Sequence, residues 1–179
     1  MTPTAPSSTV ADDSKPFFAC QPVDARFFED APARFTVAVD LDATPAKVFA
    51  VLDDEKSWPV WVAPGIRKVT WTKPRPHDLG TTRTVEMTGG MAVYETFFVW
   101  DEGKELAFHL TGATQEVWSR FAERYVLAAV GEGKTRLTWT LAYEPIGTFR
   151  RVHFLVKPLM GFALRAYLKK LARYVKRQG

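Results

Sequence analysis

Alternating apolar and polar residues predict an antiparallel sheet through the middle of the chain. From Phe35 to Leu41 every second residue is large and apolar, which is the pattern of a half-buried strand. Six further strands are predicted between Ile66 and Tyr143, separated by turns that contain Gly or Pro. Their ranges are 66–73, 81–88, 91–100, 105–111, 116–130 and 135–143. Because links this short cannot make a parallel crossover, consecutive strands must be antiparallel.

Two short helices are predicted between the first and second strands. Thr44 can cap a helix with its side-chain oxygen, and Pro45 suits the first helical position because no partner exists there for an N–H. The apolar face of this helix is formed by Val48, Phe49, Val51 and Leu52. A second short helix is predicted over 58–62, before the break at Pro64 and Gly65.

A long amphipathic helix is predicted at the C-terminal end. Apolar residues recur at spacings of three and four from Val152 to Val175, which indicates an apolar stripe. Pro158 lies inside this pattern, so a kink or a restart is expected there. A stripe of this length needs a large apolar surface, and the concave face of the sheet can supply it. The sequence therefore predicts an α+β fold in which a curved seven-stranded antiparallel sheet surrounds a long C-terminal helix.

The N-terminal segment differs from the rest of the chain. Residues 1–33 are rich in Pro, Ser, Ala and Asp without sustained periodicity, so we expect a flexible arm before one ligand-binding domain over 34–179. Cys20 is the only cysteine, which excludes an intrachain disulfide and fits a reducing compartment. Neither a signal-peptide pattern nor an apolar run of membrane-spanning length occurs, so a cytoplasmic protein is expected.

Basic residues are concentrated at the C-terminal end. Residues 147–179 contain nine basic residues and no Asp or Glu, whereas the preceding 146 residues contain 15 basic and 20 acidic ones. The nine are Arg150, Arg151, Lys157, Arg165, Lys169, Lys170, Arg173, Lys176 and Arg177. Such a segment suits an acidic surface, either a membrane or RNA, while the plainer interpretation is the solvated face of the helix. The sequence leaves both interpretations open.

Three charged residues occupy otherwise apolar faces of the predicted strands. Alternate residues form four sets: Arg83, Val85 and Met87; Val93, Glu95, Phe97 and Val99; Phe121, Glu123, Tyr125 and Leu127; and Leu137, Trp139, Leu141 and Tyr143. Burial of a lone charge costs several kcal/mol, so Arg83 is expected to lie between Glu95 and Glu123.

The role of these three charges is open. As structural residues they would form an ion-pair network that holds the sheet, and a register shift of one residue would place them in solvent. As functional residues they would form the polar end of an apolar pocket. In an enzyme, Glu95 or Glu123 would be the general acid or base and Arg83 would stabilise a developing enolate.

Other motifs give no indication of metal or cofactor chemistry. The three histidines, His77, His109 and His153, have neither metal-ligand spacing nor a neighbouring nucleophile. No phosphate-binding Gly-rich motif or nucleophile elbow occurs, and the six Trp residues are too dispersed for a stacking platform. We therefore expect no metal, no cofactor and no DNA partner.

Several segments resemble the START-like (SRPBCC) superfamily, in the branch of polyketide cyclases/dehydrases and lipid-transport proteins. The similarity covers about residues 34–175 and is carried by Thr44–Asp53, Trp58–Trp61, Gly80–Arg83, Glu95, Glu123 and Leu168–Ala172. The resemblance implies a helix-grip fold of the START/Bet v 1 kind, with a cavity between the sheet and the C-terminal helix. It does not specify a reaction, because this fold hosts carriers, cyclases, hydrolases and chaperone activators.

The leading hypothesis is the binding of a hydrophobic small molecule, such as a lipid, a quinone or an aromatic polyketide. Its walls would be Phe97, Phe121, Tyr125, Trp139, Tyr143, Met160 and Leu164, and its polar end Arg83, Glu95 and Glu123. One alternative is a cyclase or dehydratase, which the resemblance implies would work largely through pocket shape. Another is an interaction protein whose basic C-terminal helix docks on a membrane or a ribosome. The sequence leaves the ligand and the oligomeric state open.

Overall fold

A curved antiparallel sheet forms the frame of the protein. The computed structural model describes residues 16–178, apart from the side chains of residues 156 and 157. The strands are β1 (Phe18–Ala19), β2 (Ala33–Leu41), β3 (Ile66–Trp71), β4 (Thr82–Met87), β5 (Ala92–Asp101), β6 (Glu105–Ala113), β7 (Trp118–Gly131) and β8 (Lys134–Pro145). The helices are α1 (Phe27–Asp30), α2 (Pro45–Asp53), α3 (Trp58–Trp61) and α4 (Gly147–Arg177). The seven long strands lie in the order β2–β8–β7–β6–β5–β4–β3. Strand β2, the first of them in the sequence, therefore pairs with β8, the last in the sequence.

This architecture confirms the predicted fold class. The seven-stranded sheet, the two short helices α2 and α3 and the long α4 are all present. The start of α2 is as predicted, since the Thr44 hydroxyl accepts a hydrogen bond from the Lys47 amide at 3.4 Å and Pro45 follows the cap.

Helix α4 lies against β2, β8 and α3. Its second half packs into the core through Leu164, Leu168, Leu171 and Val175. The sequence predicts a kink or a restart at Pro158; the helix is continuous through Pro158, so it does not restart there. Between residues 16 and 178, no helix has both the length and the apolar character needed to cross a membrane. The cytoplasmic location stays a prediction.

Residues 16–33, the described part of the predicted N-terminal arm, pack against the sheet. Strand β1 pairs with the end of β6, where Phe18 lies opposite Ala113. The Cys20 amide donates to the Thr111 carbonyl oxygen at 2.9 Å, and the next amide donates to β7. This edge of β6 is open because its pairing with β7 extends only as far as His109. Local periodicity could not indicate this pairing, because the partner strand is far away in the sequence. Residues 1–15 lie outside the described residues, so for them the arm stays a prediction.

Helix α1 covers the convex face of the sheet. Phe27 and Phe28 are buried there against three alanines on adjacent strands, which are Ala107, Ala122 and Ala142. The small side chains leave a shallow surface into which the two rings pack. The Arg120 guanidinium lies 4.8 Å from the centre of the Phe27 ring and closes one side.

A bulge in β5 places Val99 on the opposite face of the sheet from the one predicted. The sequence places Val99 on the same face as Phe97, but the register shifts between them. Phe97 lies opposite Phe108 and packs in the main core, whereas Val99 lies opposite Ala107 and packs on the convex face. The extra residue changes the alternation, and Trp100 takes the inward position instead.

The packing of residues 16–33 predicts a stability effect. We expect Phe28→Ala to lower the free energy of unfolding by about 3 kcal/mol, because it removes a buried ring that stacks on Phe98. Phe18→Ala is the matched control. Because Phe18 is 38% exposed, this variant should lower the free energy of unfolding by less than about 1 kcal/mol. Urea unfolding of the full chain measures both. Equal, negligible losses would show that the segment does not pack in solution.

Candidate functional site

A cavity of about 290 Å³ lies between the concave face of the sheet, α3 and α4. Seven residues of the predicted site line it: Arg83, Glu95, Phe121, Glu123, Trp139, Met160 and Leu164. Its size is at the lower end of the usual range for small-molecule sites. The cavity is therefore lined by all three charged residues and by four of the seven wall residues that the sequence pattern predicts.

Three predicted wall residues lie behind the cavity instead. Phe97 is buried beneath Arg83, with its ring centre 5.0 Å from the guanidinium carbon. Tyr125 contacts Glu123 from the side, and Tyr143 stacks between Phe35 and Phe121. Strand alternation identified their inward face, but it cannot say which inward residues the helix covers.

Helix α3 and the loop after it also line the cavity, which strand alternation did not indicate. Trp58, Val62, Gly65 and Ile66 line the cavity from this side, together with Tyr167 of α4. Space is tight here, because a side chain at Gly65 would begin 2.9 Å from the Tyr167 hydroxyl. The tryptophans at 58 and 61 could have indicated this contribution, because two large rings on one short helix must pack against a neighbouring surface.

Helix α3 is anchored so that Trp58 reaches the centre of the site. The Ser57 hydroxyl donates to the Val51 carbonyl oxygen at 2.6 Å, and the Trp58 indole N–H donates to the Leu52 carbonyl oxygen at 2.9 Å. Both acceptors are near the end of α2, where carbonyl groups lack helical partners. The Trp58 ring then lies 4.2 Å from the guanidinium carbon of Arg83.

Arg83 and Glu95 form a buried ion pair. They lie directly opposite each other on β4 and β5, and Arg83 Nε donates to Glu95 Oε2 at 2.5 Å. Their side chains are only 1% and 6% exposed. Burial raises the pKa of Glu95, and the charge and hydrogen bond of Arg83 oppose that rise.

Aromatic rings surround the Arg83 guanidinium. Beside Trp58, the ring centres of Phe97 and Phe108 lie 5.0 Å from its central carbon and that of Trp71 lies 5.2 Å away. Ring faces attract a cation most strongly when water is excluded, as it is here. These contacts compensate part of the free energy lost when Arg83 leaves water.

Arg83 still has an unused hydrogen-bond donor. In the described part of the chain, four buried polar side-chain atoms have no partner: Arg83 Nη1, the indole nitrogens of Trp61 and Trp71, and the Tyr143 hydroxyl. Of these four residues, only Arg83 lines the cavity. An unpaired buried N–H is costly, so a ligand acceptor that reached this nitrogen would remove that cost.

Glu123 lies apart from the ion pair, contrary to the prediction that Arg83 bridges both glutamates. Its Oε2 accepts hydrogen bonds from the Tyr125 hydroxyl and, at 3.0 Å, from the Trp139 indole N–H. Part of its surface faces the cavity, yet protein encloses it, and this burial raises its pKa to about 7. The negative charge of Glu95 adds to the rise, while the Tyr125 hydrogen bond opposes it. Burial also raises the pKa of Tyr125 well above 10, so its hydroxyl stays a donor.

A second hollow lies outside the sheet along β3. Its volume is about 550 Å³, but it opens broadly to solvent and its walls are about half polar. His77 lies at its edge, where Nδ1 is 2.5 Å from Asp53 Oδ1 and the ring stacks on Trp71. These contacts tie the loop to α2, and none of the ten predicted site residues lines this hollow. Among residues 16–178, no group of three His, Cys, Asp or Glu side chains is arranged to hold a metal ion.

The raised pKa of Glu123 predicts a pH-dependent stability. The folded protein holds this proton more tightly than the unfolded chain, so stability is lost as pH rises from about 4.5 to about 7. The full loss is at most about 3 kcal/mol. We expect Glu123→Gln to remove this loss and to be the more stable protein at pH 8. Urea unfolding at pH 5 and pH 8 measures it, with Glu102→Gln on the exposed β5–β6 turn as the control. A wild-type loss that persists in Glu123→Gln would contradict the assignment.

Comparisons with known proteins agree with this geometry. The family model for polyketide cyclase/dehydrase and lipid transport matches residues 32–176. The uncharacterized protein Rv2574 of Mycobacterium tuberculosis is 42% identical over 157 residues, which cover 88% of this chain and 93% of the relative. The equivalent uncharacterized protein Mb2604 of Mycobacterium bovis matches equally well.

Solved structures with the same fold share little sequence with this chain. A START superfamily protein from Mycobacterium smegmatis has a TM-score of 0.66 at 15% identity, covering 82% of this chain and 99% of that one. The ZhuI aromatase/cyclase from Streptomyces sp. R1128 has a TM-score of 0.65 at 12% identity, covering 82% and 94%. The fold is that of the START superfamily protein, and the chain belongs to the polyketide cyclase/dehydrase and lipid-transport family.

Proposed function

We propose that this protein binds a hydrophobic small molecule that carries a hydrogen-bond acceptor. The observation that carries the proposal is Arg83, which lines a cavity with mostly apolar walls and whose buried Nη1 has no hydrogen-bond partner among the described residues. Apolar walls supply affinity in such a site, and a few polar groups orient the ligand. The family description, which includes lipid transport, supports the same class of ligand.

The charges around the cavity favour a neutral acceptor over a carboxylate. Glu95 already neutralises Arg83, and Glu123 adds a negative charge whenever it is ionised. An anionic ligand would therefore meet no net positive charge at this end. A carbonyl oxygen of a quinone, an ester or a polyketide can accept from Arg83 without that repulsion, and a protonated Glu123 offers a second donor.

A matched pair of probes tests this proposal. We expect 1,4-naphthoquinone to bind at least about tenfold more tightly than naphthalene, because only the quinone can accept from Arg83 Nη1. Calorimetric titration measures both affinities. Native mass spectrometry of the protein from its own host identifies any co-purifying molecule.

A pair of variants on α4 serves as the control. Ala163→Phe fills part of the cavity and should abolish quinone binding, whereas Ala166→Phe places the same ring outside the cavity and should keep it. Equal affinity for the two probes, or equal binding by the two variants, would overturn the proposal.

A second candidate function is acid–base catalysis on the bound molecule. The observation that favours it is Glu123, whose pKa of about 7 is suited to proton transfer at neutral pH and whose side chain lines the cavity. Glu123 would remove a proton from the carbon next to the carbonyl group of a bound ketone. Arg83 would then donate a hydrogen bond to the resulting enolate oxygen. An aromatase/cyclase with the same fold supports this candidate at the level of the fold alone.

Glu123→Gln separates binding from catalysis. If the protein is a cyclase or dehydratase, this variant should lose at least about 100-fold in turnover of a poly-β-ketone while its affinity for 1,4-naphthoquinone stays within about threefold. Product formation followed by mass spectrometry is the measurement. Wild-type protein that binds the quinone but converts none of the ketone would leave binding as the function.

A further inference from the structure

The first half of α4 exposes an apolar surface to solvent. Five large side chains are involved: Val152, Phe154, Leu155, Leu159 and Phe162, which are 40%, 64%, 61%, 67% and 74% exposed. Single exposed apolar residues are ordinary, but five within eleven positions of one helix form a continuous patch. We call this set the apolar patch.

The apolar patch faces away from the sheet. Phe162 and the buried Leu164 are about 200° apart around the helix axis, so they lie on opposite sides. Val152, Leu155 and Leu159 share the outward side through their spacing of three and four. This half of α4 is therefore apolar on both its inner and its outer side.

Exposed cations surround the apolar patch. Arg150, Arg151, Arg165 and Lys169 are exposed on the same helix, and no acidic residue occurs from 147 to the end of the sequence. An amphipathic helix with bulky apolar residues and a cationic border is the kind of surface that binds at the interface of an anionic bilayer.

Charge also weighs against the other possible occupants. A second copy of this chain would bring the same cations against one another across a two-fold axis. RNA would satisfy the cations but would leave the five apolar side chains uncovered. Residues 1–15 contain only Met1 and Val10 as large apolar residues, which is too little to cover the patch.

We propose that the apolar patch docks the protein on an anionic lipid bilayer. Helix α4 would lie along the membrane surface, with the patch among the lipid headgroups and the cations beside them. The inner side of the same turns lines the cavity through Met160, Ala163 and Leu164. The cavity wall is therefore about one helix diameter, roughly 10 Å, from the docked surface. If the cavity holds an apolar ligand as proposed above, this gives the ligand a short route to the bilayer, although docking itself does not depend on that ligand.

Vesicle flotation tests the proposal with the full chain. We expect the protein to float with vesicles of phosphatidylcholine and phosphatidylglycerol at 70:30 and not with phosphatidylcholine alone, in about 0.1 M salt, where charges are only partly screened. The double variant Leu159→Ser/Phe162→Ser should bind at least about 30-fold more weakly. Arg151→Gln/Arg165→Gln should also lose about 30-fold.

Matched variants elsewhere control for fold and for nonspecific charge. Val60→Ser/Leu79→Ser removes two exposed apolar residues, and Lys68→Gln/Lys134→Gln removes two exposed cations; both should float like the wild type. Thermal melts confirm that all four variants are folded.

Four results would overturn the proposal. The first two are that the wild type does not float, or that it floats equally with neutral vesicles. The third is that Leu159→Ser/Phe162→Ser and Arg151→Gln/Arg165→Gln float like their controls. The fourth is that sedimentation without lipid shows a wild-type dimer and that Leu159→Ser/Phe162→Ser dissociates it. The last would assign the patch to a second copy. RNA binding without vesicle binding would assign the cations to RNA.

Discussion

The burial of one cation, Arg83, is the constraint on which the rest of the interior depends. A charge enclosed this fully needs a counter-charge and hydrogen bonds, or the fold loses several kcal/mol. Glu95 supplies the counter-charge only because β4 and β5 pair in the register that places it opposite Arg83. Trp58 completes the aromatic enclosure only because α3 is anchored to the end of α2. The burial of Arg83 therefore depends on the sheet register, on the placement of α3 and on the packing of the aromatic rings.

The two glutamates of the site show how environment differentiates one residue type. Glu95 is the fixed partner of a cation, whereas the hydrogen-bond partners of Glu123 among the described residues are the neutral donors of Tyr125 and Trp139. Its pKa of about 7 makes it the group whose charge changes near neutrality. A cavity that ends in a neutralised Arg83 and a titrating acid suits a polar but uncharged ligand group, and it would also suit proton transfer to that group.

The sheet uses its two faces differently. On the convex face, Ala107, Ala122 and Ala142 leave room for Phe27 and Phe28, so the N-terminal segment seals that side. On the concave face, the side chains are large and only the second half of α4 packs fully into them. Its first half leaves the cavity on its inner side and the apolar patch on its outer side. One helix thus connects the proposed ligand site with the proposed membrane surface.

The sequence by itself determined the seven long strands, helices α2, α3 and α4, the α+β class and the inward faces of most strands. These follow from periodicities of two and three-to-four, which depend only on neighbouring residues, whereas the family was indicated by the resemblance of its motifs. Seven of the ten predicted site residues line the cavity, five of them from strand alternation and two, Met160 and Leu164, from helical spacing. Tertiary structure alone decided that Arg83 pairs with Glu95 rather than with both glutamates, and that residues 16–33 are packed. It also decided that a bulge turns Val99 outward and that the first half of α4 is uncovered. Each of these depends on which distant segments meet, and the local pattern of a chain carries no record of that.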